Sequence, residues 1–275
     1  ANEGVEGYNT VTGFSMVTGA YSSNQGFFFI QLKEWAHRTT AETHANGIAA
    51  ALNRAFAREI PEATAVVFGP PAIPGLGTGA GFTMQLQDRS GGSPEFLADQ
   101  AARFVEAARK RPEIGRASTL YRASVPQVYA DVDRSKVLKV GATISDVNTT
   151  LGALLGSSYV NDFNRFGRTW QVNVQADAPF RTDAQTLGQF KVRNAAGDMV
   201  PLGAVAEVRD SAGPVQITRY NMYPAAAVNG LPLPGTSMGD ALATMESLSR
   251  DRPRNMTTEW TEVSYLQKQA CKPEQ

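Results

Sequence analysis

The sequence predicts an α+β fold built from small split βαβ units, not one doubly wound sheet. Three observations carry this. Strand–helix–strand patterns run over residues 27–68 and 82–121, with proline- and glycine-rich joints between them. Another spans residues 218–261, so two halves bracket a region of different texture, as an insertion into one split βαβ unit would. Within that region, residues 159–176 (YVNDFNRFGRTWQVNVQA) read as a long β-hairpin.

Residues 1–12 read as a strand with an irregular start. Residues 13–26 (GFSMVTGAYSSNQG) read as a loop, because Gly13, Gly19 and Gly26 are interleaved with small polar residues. Residues 27–32 (FFFIQL) form an apolar strand. Over 40–59, Ile48, Ala49, Leu52, Ala55 and Phe56 recur at helical spacing, and Pro61 stops the helix. Residues 63–68 are a further strand closed by Pro70 and Pro71, and 82–87 alternate as a strand. Ser93 stands at an N-cap and Pro94 at the first helical position. That helix runs to about Lys110 with Phe96, Leu97, Ala101, Phe104, Val105 and Ala108 on its apolar face, and Pro112 ends it.

Strands follow near 117–121 and 127–132, then short helices at 133–140 and 144–155. The second helix has Ser145 and Asp146 in its first turn, where an oxygen acceptor and a negative charge are favoured. In the hairpin, Trp170, Val172 and Val174 share one face and Gln171, Asn173 and Gln175 the other, around a tip of Asn164, Arg165, Phe166 and Gly167. Such alternation predicts one buried and one wet face. Strands at 189–193 and 200–208 are joined by a turn at 194–198; a strand at 218–228, a helix at 237–250 and a strand at 257–261 close the pattern, and the tail after Tyr265 is polar.

With 275 residues and no formal net charge, the chain holds one large domain or two to three small ones. Balanced charge argues against nucleic acid as a partner and against a polybasic membrane patch. One cysteine, Cys271, forms no disulfide framework or cysteine metal cluster. His37 and His44 read as ordinary surface histidines, and the seven methionines are scattered, so no metal site is expected. No apolar run of about 18 residues spans a bilayer. No basic-then-apolar leader opens the sequence, so export would need a signal outside it. Gly75-Leu76-Gly77-Thr78-Gly79-Ala80 fits a dinucleotide-binding glycine pattern, but a strand follows where that fingerprint needs a helix N-terminus. Asp131, Asp133 and Asp162 read as solvated strand ends and caps. Ser, Asp and His fall in no nucleophile–base arrangement, so neither an enzyme nor a cofactor is expected.

The wording of several segments is specific. GFSMVTG followed by FFFIQLKEW, PPAIPGLGTGAGF, VDRSKVLKVGATISDVNTTLGALLG, the hairpin string, VRNAAGDMVPLGAVAEV, RYNMYPAAAVNGLPLPGTSMGDALATME and TTEWTEVSY together resemble AcrB-like resistance-nodulation-division (RND) multidrug efflux transporters, in family order over nearly the whole chain. The resemblance implies ferredoxin-like split βαβ porter subdomains with an inserted docking subdomain that carries the long hairpin. Residues 1–75 would be a first porter subdomain lacking its opening strand and helix, which the family places before Ala1. Residues 76–125 and 215–262 would be the halves of a second, residues 126–214 the docking subdomain, and 263–275 a tail where the family enters a transmembrane helix.

By the same resemblance, Phe14, Met16 and Phe29 lie in a drug pocket, with Gly13, Gly19 and Gly26 in its switch loop. Val66, Phe68, Thr119 and Tyr121 match an entrance pocket. The family has aromatics where this chain has Asn9 and Met16, a glutamate at Gly75 and an arginine at Thr119, so the pockets are expected to be less aromatic and less charged. Phe163, Arg165, Phe166 and Arg168 give the hairpin tip an interface composition. The implied function is the periplasmic drug-binding and docking portion of a proton-driven exporter at the bacterial inner membrane. It would work as a homotrimer with a periplasmic adaptor and an outer-membrane channel, and bind amphiphilic drugs noncovalently. The alternative is a stand-alone periplasmic binding module with no transport of its own.

Overall fold

The computed structural model describes residues 3–77 and 79–270. Thr78 of the glycine pattern, Cys271 and the end of the polar tail lie outside the described residues. In chain order the elements are β1 (Val5–Ser15), β2 (Ala20–Leu32), α1 (Ala45–Glu59), β3 (Phe82–Asp88), α2 (Pro94–Arg109), β4 (Ile114–Thr119), β5 (Val125–Val132), α3 (Arg134–Lys139), α4 (Ile144–Gly156), β6 (Ser158–Arg165) and β7 (Arg168–Val174). They continue with α5 (Ala184–Leu187), β8 (Lys191–Arg193), β9 (Met199–Pro201), β10 (Ala206–Gly213), β11 (Arg219–Tyr220), β12 (Tyr223–Pro232), α6 (Met238–Leu248), β13 (Met256–Trp260) and α7 (Glu262–Ala270). The chain divides into two compact units, Ala1–Val125 with Pro214–Gln275, and Pro126–Gly213.

The first unit is organised by a mixed α+β layer. Strand β12 pairs antiparallel with β3 on one edge and with β4 on the other, and β13 pairs with the free edge of β3. Each strand–helix–strand half is therefore split by a strand of the other half. Alternate residues of β3 and β12 face opposite sides of the sheet. Phe82, Met84, Leu86, Ala226 and Val228 are buried against Leu97, Phe104 and Val105 of α2 and Leu242 and Met245 of α6. The helices start where acceptors are available: the Oγ of Ser93 takes the Phe96 amide at 3.3 Å, and that of Ser237 takes the Asp240 amide at 3.1 Å. A Cβ added at Gly230 would lie 2.3 Å from the Phe82 ring and 2.6 Å from the Arg116 carbonyl, so β12 can sit between its neighbours only with glycine there.

Several expectations for this unit change. Residues 13–26 are mostly strand: β1 reaches Ser15 and β2 begins at Ala20, leaving only residues 16–19 as a turn. Gly13 (φ +75°) sits at a register shift between Thr12 and Phe14, so this glycine marks a β-bulge, not a loop. Gly26 lies in the ladder opposite Thr12. Residues 63–68 pair with no strand among the described residues. Asn53 of α1 substitutes for one: its Nδ2 donates to the Val67 carbonyl at 2.9 Å and its Oδ1 accepts the Val67 amide at 2.7 Å. Residues 218–228 are not one strand, because Asn221 and Met222 (φ +48° and +73°) turn the chain between β11 and β12. The polar tail opens as helix α7.

The second unit has its own core. Val137, Val147, Leu187, Phe190, Val192 of β8, Leu202 and Val205 are buried together, with β5 paired to β10. Asp133 caps α3 by accepting the amides of Ser135 and Lys136, and the Lys136 amide leads the contacts that hold its carboxyl below the ordinary range. Thr143 and Asp146 form a reciprocal capping box on α4. The hairpin β6–β7 departs from its expected half-burial. Phe163 opposes Trp170 on the face that also carries Val172 and Val174, so an apolar face exists, yet every residue of both strands is exposed. Alternation reports that a face is apolar; it does not report what covers it.

Two outcomes follow from this packing. Gly230→Ala should lower unfolding stability by about 1–3 kcal/mol through overpacking. Gly152→Ala, whose added methyl meets nothing within 4 Å on α4, should raise it by up to about 1 kcal/mol. Urea denaturation of the two variants reads both signs.

Helix α7 is tied down by Glu246, which accepts Trp260 Nε1 at 2.9 Å and Lys268 Nζ at 3.0 Å. Burial acts to raise the Glu246 pKa, but these two donors and the charges of Lys268 and Arg250 outweigh it, and the net shift is downward. A carboxyl lowered in the fold stabilises it above its unfolded pKa and loses that contribution as pH falls through its folded one. Glu246→Gln should therefore lower the melting temperature at pH 7, and the gap to wild type should narrow as pH falls below the ordinary glutamate range and through the lowered folded pKa. A gap independent of pH would overturn the charge assignment.

Candidate functional site

The face of the β3–β12 sheet turned away from α2 and α6 is short and polar: Thr83 and Gln85 from β3, and Ala225, Ala227 and Asn229 from β12. It floors a cavity of about 230 Å³. One wall is the β1–β2 turn and the strand after it, with Val17, Thr18, Ala20 and Gln25. The other walls are Leu120, Tyr121, Arg122 and Val125 after β4, Val215, Gln216 and Thr218 before β12, and Glu262 at the start of α7.

Thr83 is the node of this site. Its hydroxyl lies 2.9 Å from Glu262 Oε2 and 3.0 Å from Asn229 Oδ1. Its amide donates to Ser264 Oγ at 3.3 Å, and its carbonyl accepts the Thr261 amide at 3.3 Å. Glu262 adopts φ +58°, a left-handed backbone unusual for a side chain with a Cβ. A Cβ on Gly77 would come within 2.7 Å of the Glu262 carboxylate. The strained residue is thus held between β3 and the segment before it.

The expected site residues distribute as follows. Tyr121 lines the cavity, and among the described residues the other six expected substrate-binding residues are not among its lining. Thr119 ends β4, its Oγ1 accepting the Tyr121 amide at 3.2 Å. Val66 and Phe68 flank Val67, whose carbonyl also accepts Arg116 Nη1 at 3.2 Å, and the Phe68 ring lies against Gly79. Burial pushes the Arg116 pKa down. Phe14 stacks tilted on Tyr21 at 5.0 Å, and Phe29 meets Phe27 edge-on at 4.9 Å. Phe29 sits opposite Asn9, roughly 17 Å along β1 from Phe14 at strand rise. Met16 is exposed in the turn, and Gly19 (φ +66°) ends that turn. At the other hairpin, Phe166 and Gly167 (φ +55° and +70°) form a two-residue turn with both φ values positive. The Arg165 guanidinium lies 4.8 Å over the Phe166 ring, Trp170 Nε1 donates to the Arg165 carbonyl at 3.0 Å, and Arg168 pairs opposite Arg165.

Sequence reasoning missed Gln25, Thr83, Gln85, Asn229 and Glu262. For Thr83, Gln85 and Asn229 the one available signal was polarity on alternate positions of strands whose other face is apolar; Gln25 and Glu262 carried none. Among the described residues no group of three or more His, Cys, Asp or Glu is placed to hold a metal ion, and no helix is long and apolar enough to cross a membrane.

The comparison with known proteins is decisive for family. The profile of the AcrB/AcrD/AcrF family matches residues 1–274. The chain belongs to that family. It is 34% identical over 267 residues to the multidrug export protein AcrF of Escherichia coli K12, covering 96% of this chain and 25% of that protein. The multidrug/solvent efflux pump membrane transporter MepB of Pseudomonas putida is 34% identical over 94% of this chain and 24% of its own length. The multidrug resistance protein MdtF of E. coli K12 is 33% identical over 96% and 25%. The chain thus spans about a quarter of the length of the curated AcrB/AcrD/AcrF relatives it matches.

Thr83→Val keeps the shape of the node and removes its hydroxyl. Leaving Glu262 and Asn229 without that partner should cost about 1–3 kcal/mol. A thermal melt no lower than wild type would remove Thr83 from its tethering role.

Proposed function

We propose that this chain is the drug-binding and docking portion of a proton-driven multidrug efflux transporter, on the periplasmic face of a bacterial inner membrane. The observation that carries the reading is the near-complete match of the chain to a contiguous quarter of proteins named for drug export. Ligands are amphiphiles held noncovalently, and no bond is made or broken. Apolar burial at roughly 25 cal/mol per Å² supplies the affinity, with aromatic faces adding contact. The exposed aromatics of β1–β2, Tyr8, Tyr21, Phe28 and Phe29, offer such contact. Export is a cyclic change of access, driven by proton flow through parts of the transporter outside this chain.

The β6–β7 hairpin is the docking element. Phe166 is 81% exposed in a left-handed conformation that asparagine or glycine would adopt with less strain. A bulky apolar residue in that position is explained by a partner that covers it. In the assembled pump, homotrimer neighbours, the periplasmic adaptor and the outer-membrane channel are the partners.

In the intact transporter, Phe29→Ala should raise cellular accumulation of bulky aromatic dyes several-fold while sparing small substrates. Accumulation measured across a graded panel tests this. Equal export of every compound would overturn the pocket assignment.

A further inference from the structure

The cavity on the open sheet face carries polar atoms that the protein leaves without partners. Gln25 Oε1, Gln85 Oε1 and the Tyr121 hydroxyl are all buried, and none has a hydrogen-bond partner among the described residues. All three residues line the same cavity, although they come from β2, β3 and the segment after β4. Such orphans cost about 1–3 kcal/mol each, so their convergence calls for an explanation. Resting on the reading of this chain as the ligand-binding part of a pump, we propose that the cavity selects a neutral polyhydroxyl group, a sugar-like ring, carried by an amphiphilic ligand.

The chemistry of the walls points to this class. An amide oxygen needs a donor, and a phenol donates and accepts. A hydroxyl does both, so a ring of hydroxyls satisfies all three atoms whichever way the amides are turned. Burial, then the charge of Glu95, pushes the Tyr121 phenol up, which keeps its proton available. The lining contains one carboxylate, Glu262, and one guanidinium, Arg122, so it favours neither sign of ligand charge. Ala225 and Ala227 form a flat apolar floor suited to the C–H face of a ring. About 230 Å³ is below the roughly 300–1,000 Å³ of pockets for drug-sized ligands, so the cavity holds one ring and not a whole drug. Discrimination follows from the orphans. A site whose buried polar groups await a hydroxyl rejects an analogue lacking it far more strongly than an apolar site rejects a misfit.

The test is calorimetric titration of the whole chain with two probes of equal tail length, n-octyl-β-glucoside and n-octyltrimethylammonium, both kept monomeric. The glucoside should bind at least about tenfold more tightly. Tyr121→Phe and Gln85→Leu should each weaken it about five- to tenfold and leave the ammonium probe unchanged. Tyr121→Phe deletes only an unpartnered hydroxyl, so its melting temperature should match or exceed wild type, which keeps the result readable if Gln85→Leu fails to fold. Equal binding of the two probes, or glucoside binding indifferent to Tyr121→Phe, overturns the polyhydroxyl assignment and leaves amphiphile binding standing. Binding of neither probe overturns both.

Discussion

The fold of the first unit depends on one constraint: β3 is hydrogen-bonded on both edges by strands that arrive far later in the chain. Ala225 through Gly230 pair with Gln87 through Phe82, and Met256 through Trp260 pair with Asp88 through Met84. Neither half can bury its apolar face alone, because α2 and α6 contribute to one continuous core across the interleaved sheet. That interleaving makes Gly230 obligatory, places Thr83 and Gln85 on a shared open face, and leaves the intervening residues to form a unit of their own. The inserted unit meets this condition by pairing its first strand, β5, with its last, β10. Its chain therefore starts and ends together, and one joint accommodates it.

The same constraint explains why the open face holds a cavity. One face of the sheet is saturated by helices. The other is floored by Thr, Gln, Asn and Ala, residues too small or too polar to form a second core. Strand β2 and the turn before it, the joint before β12 and the start of α7 surround that floor without filling it. Thr83 fixes the geometry, since its backbone and hydroxyl tether the β13–α7 corner through Thr261, Glu262 and Ser264. A left-handed Glu262 is tolerated because this tether over-determines it.

Much of the architecture was legible in the sequence. The apolar face of α2, the Ser93 cap, the existence of a helix near 237–250 and the alternation of β3 are local signals, and local physics produced them. The errors share a cause. The sequence around Gly13 suggests a loop because a bulge glycine and a loop glycine look alike until the partner strand is known. Residues 63–68 suggest a strand because nothing in their composition shows that Asn53 satisfies Val67 in place of a ladder. The β6–β7 alternation suggests half-burial because periodicity encodes amphipathicity, whereas burial depends on what packs against it. Tyr121 was legible only through the family resemblance, and the other cavity residues were illegible for a related reason: Gln25, Gln85 and Asn229 are distant in sequence, and convergence is a property of the interleaved sheet.

The two exposed surfaces differ in what their physics asks of a partner. The β6–β7 hairpin presents Phe163, Trp170, Val172 and Val174 on a two-stranded ribbon with a register shift between Tyr159 and Asn161, and the Phe166 turn is strained at its tip. A two-stranded hairpin is marginal in isolation, so burial against something large and shape-complementary would stabilise an apolar face that wide. That describes a protein surface. The cavity in the first unit is small, amide-rich and floored by alanine, and its unpaired atoms ask for hydrogen bonds of defined direction. That describes a polar ring. A chain that carried only the hairpin would be an assembly module, and one that carried only the cavity would be a binding protein. Under the proposed function, both within 275 residues would let one unit hold cargo while the other meets neighbours.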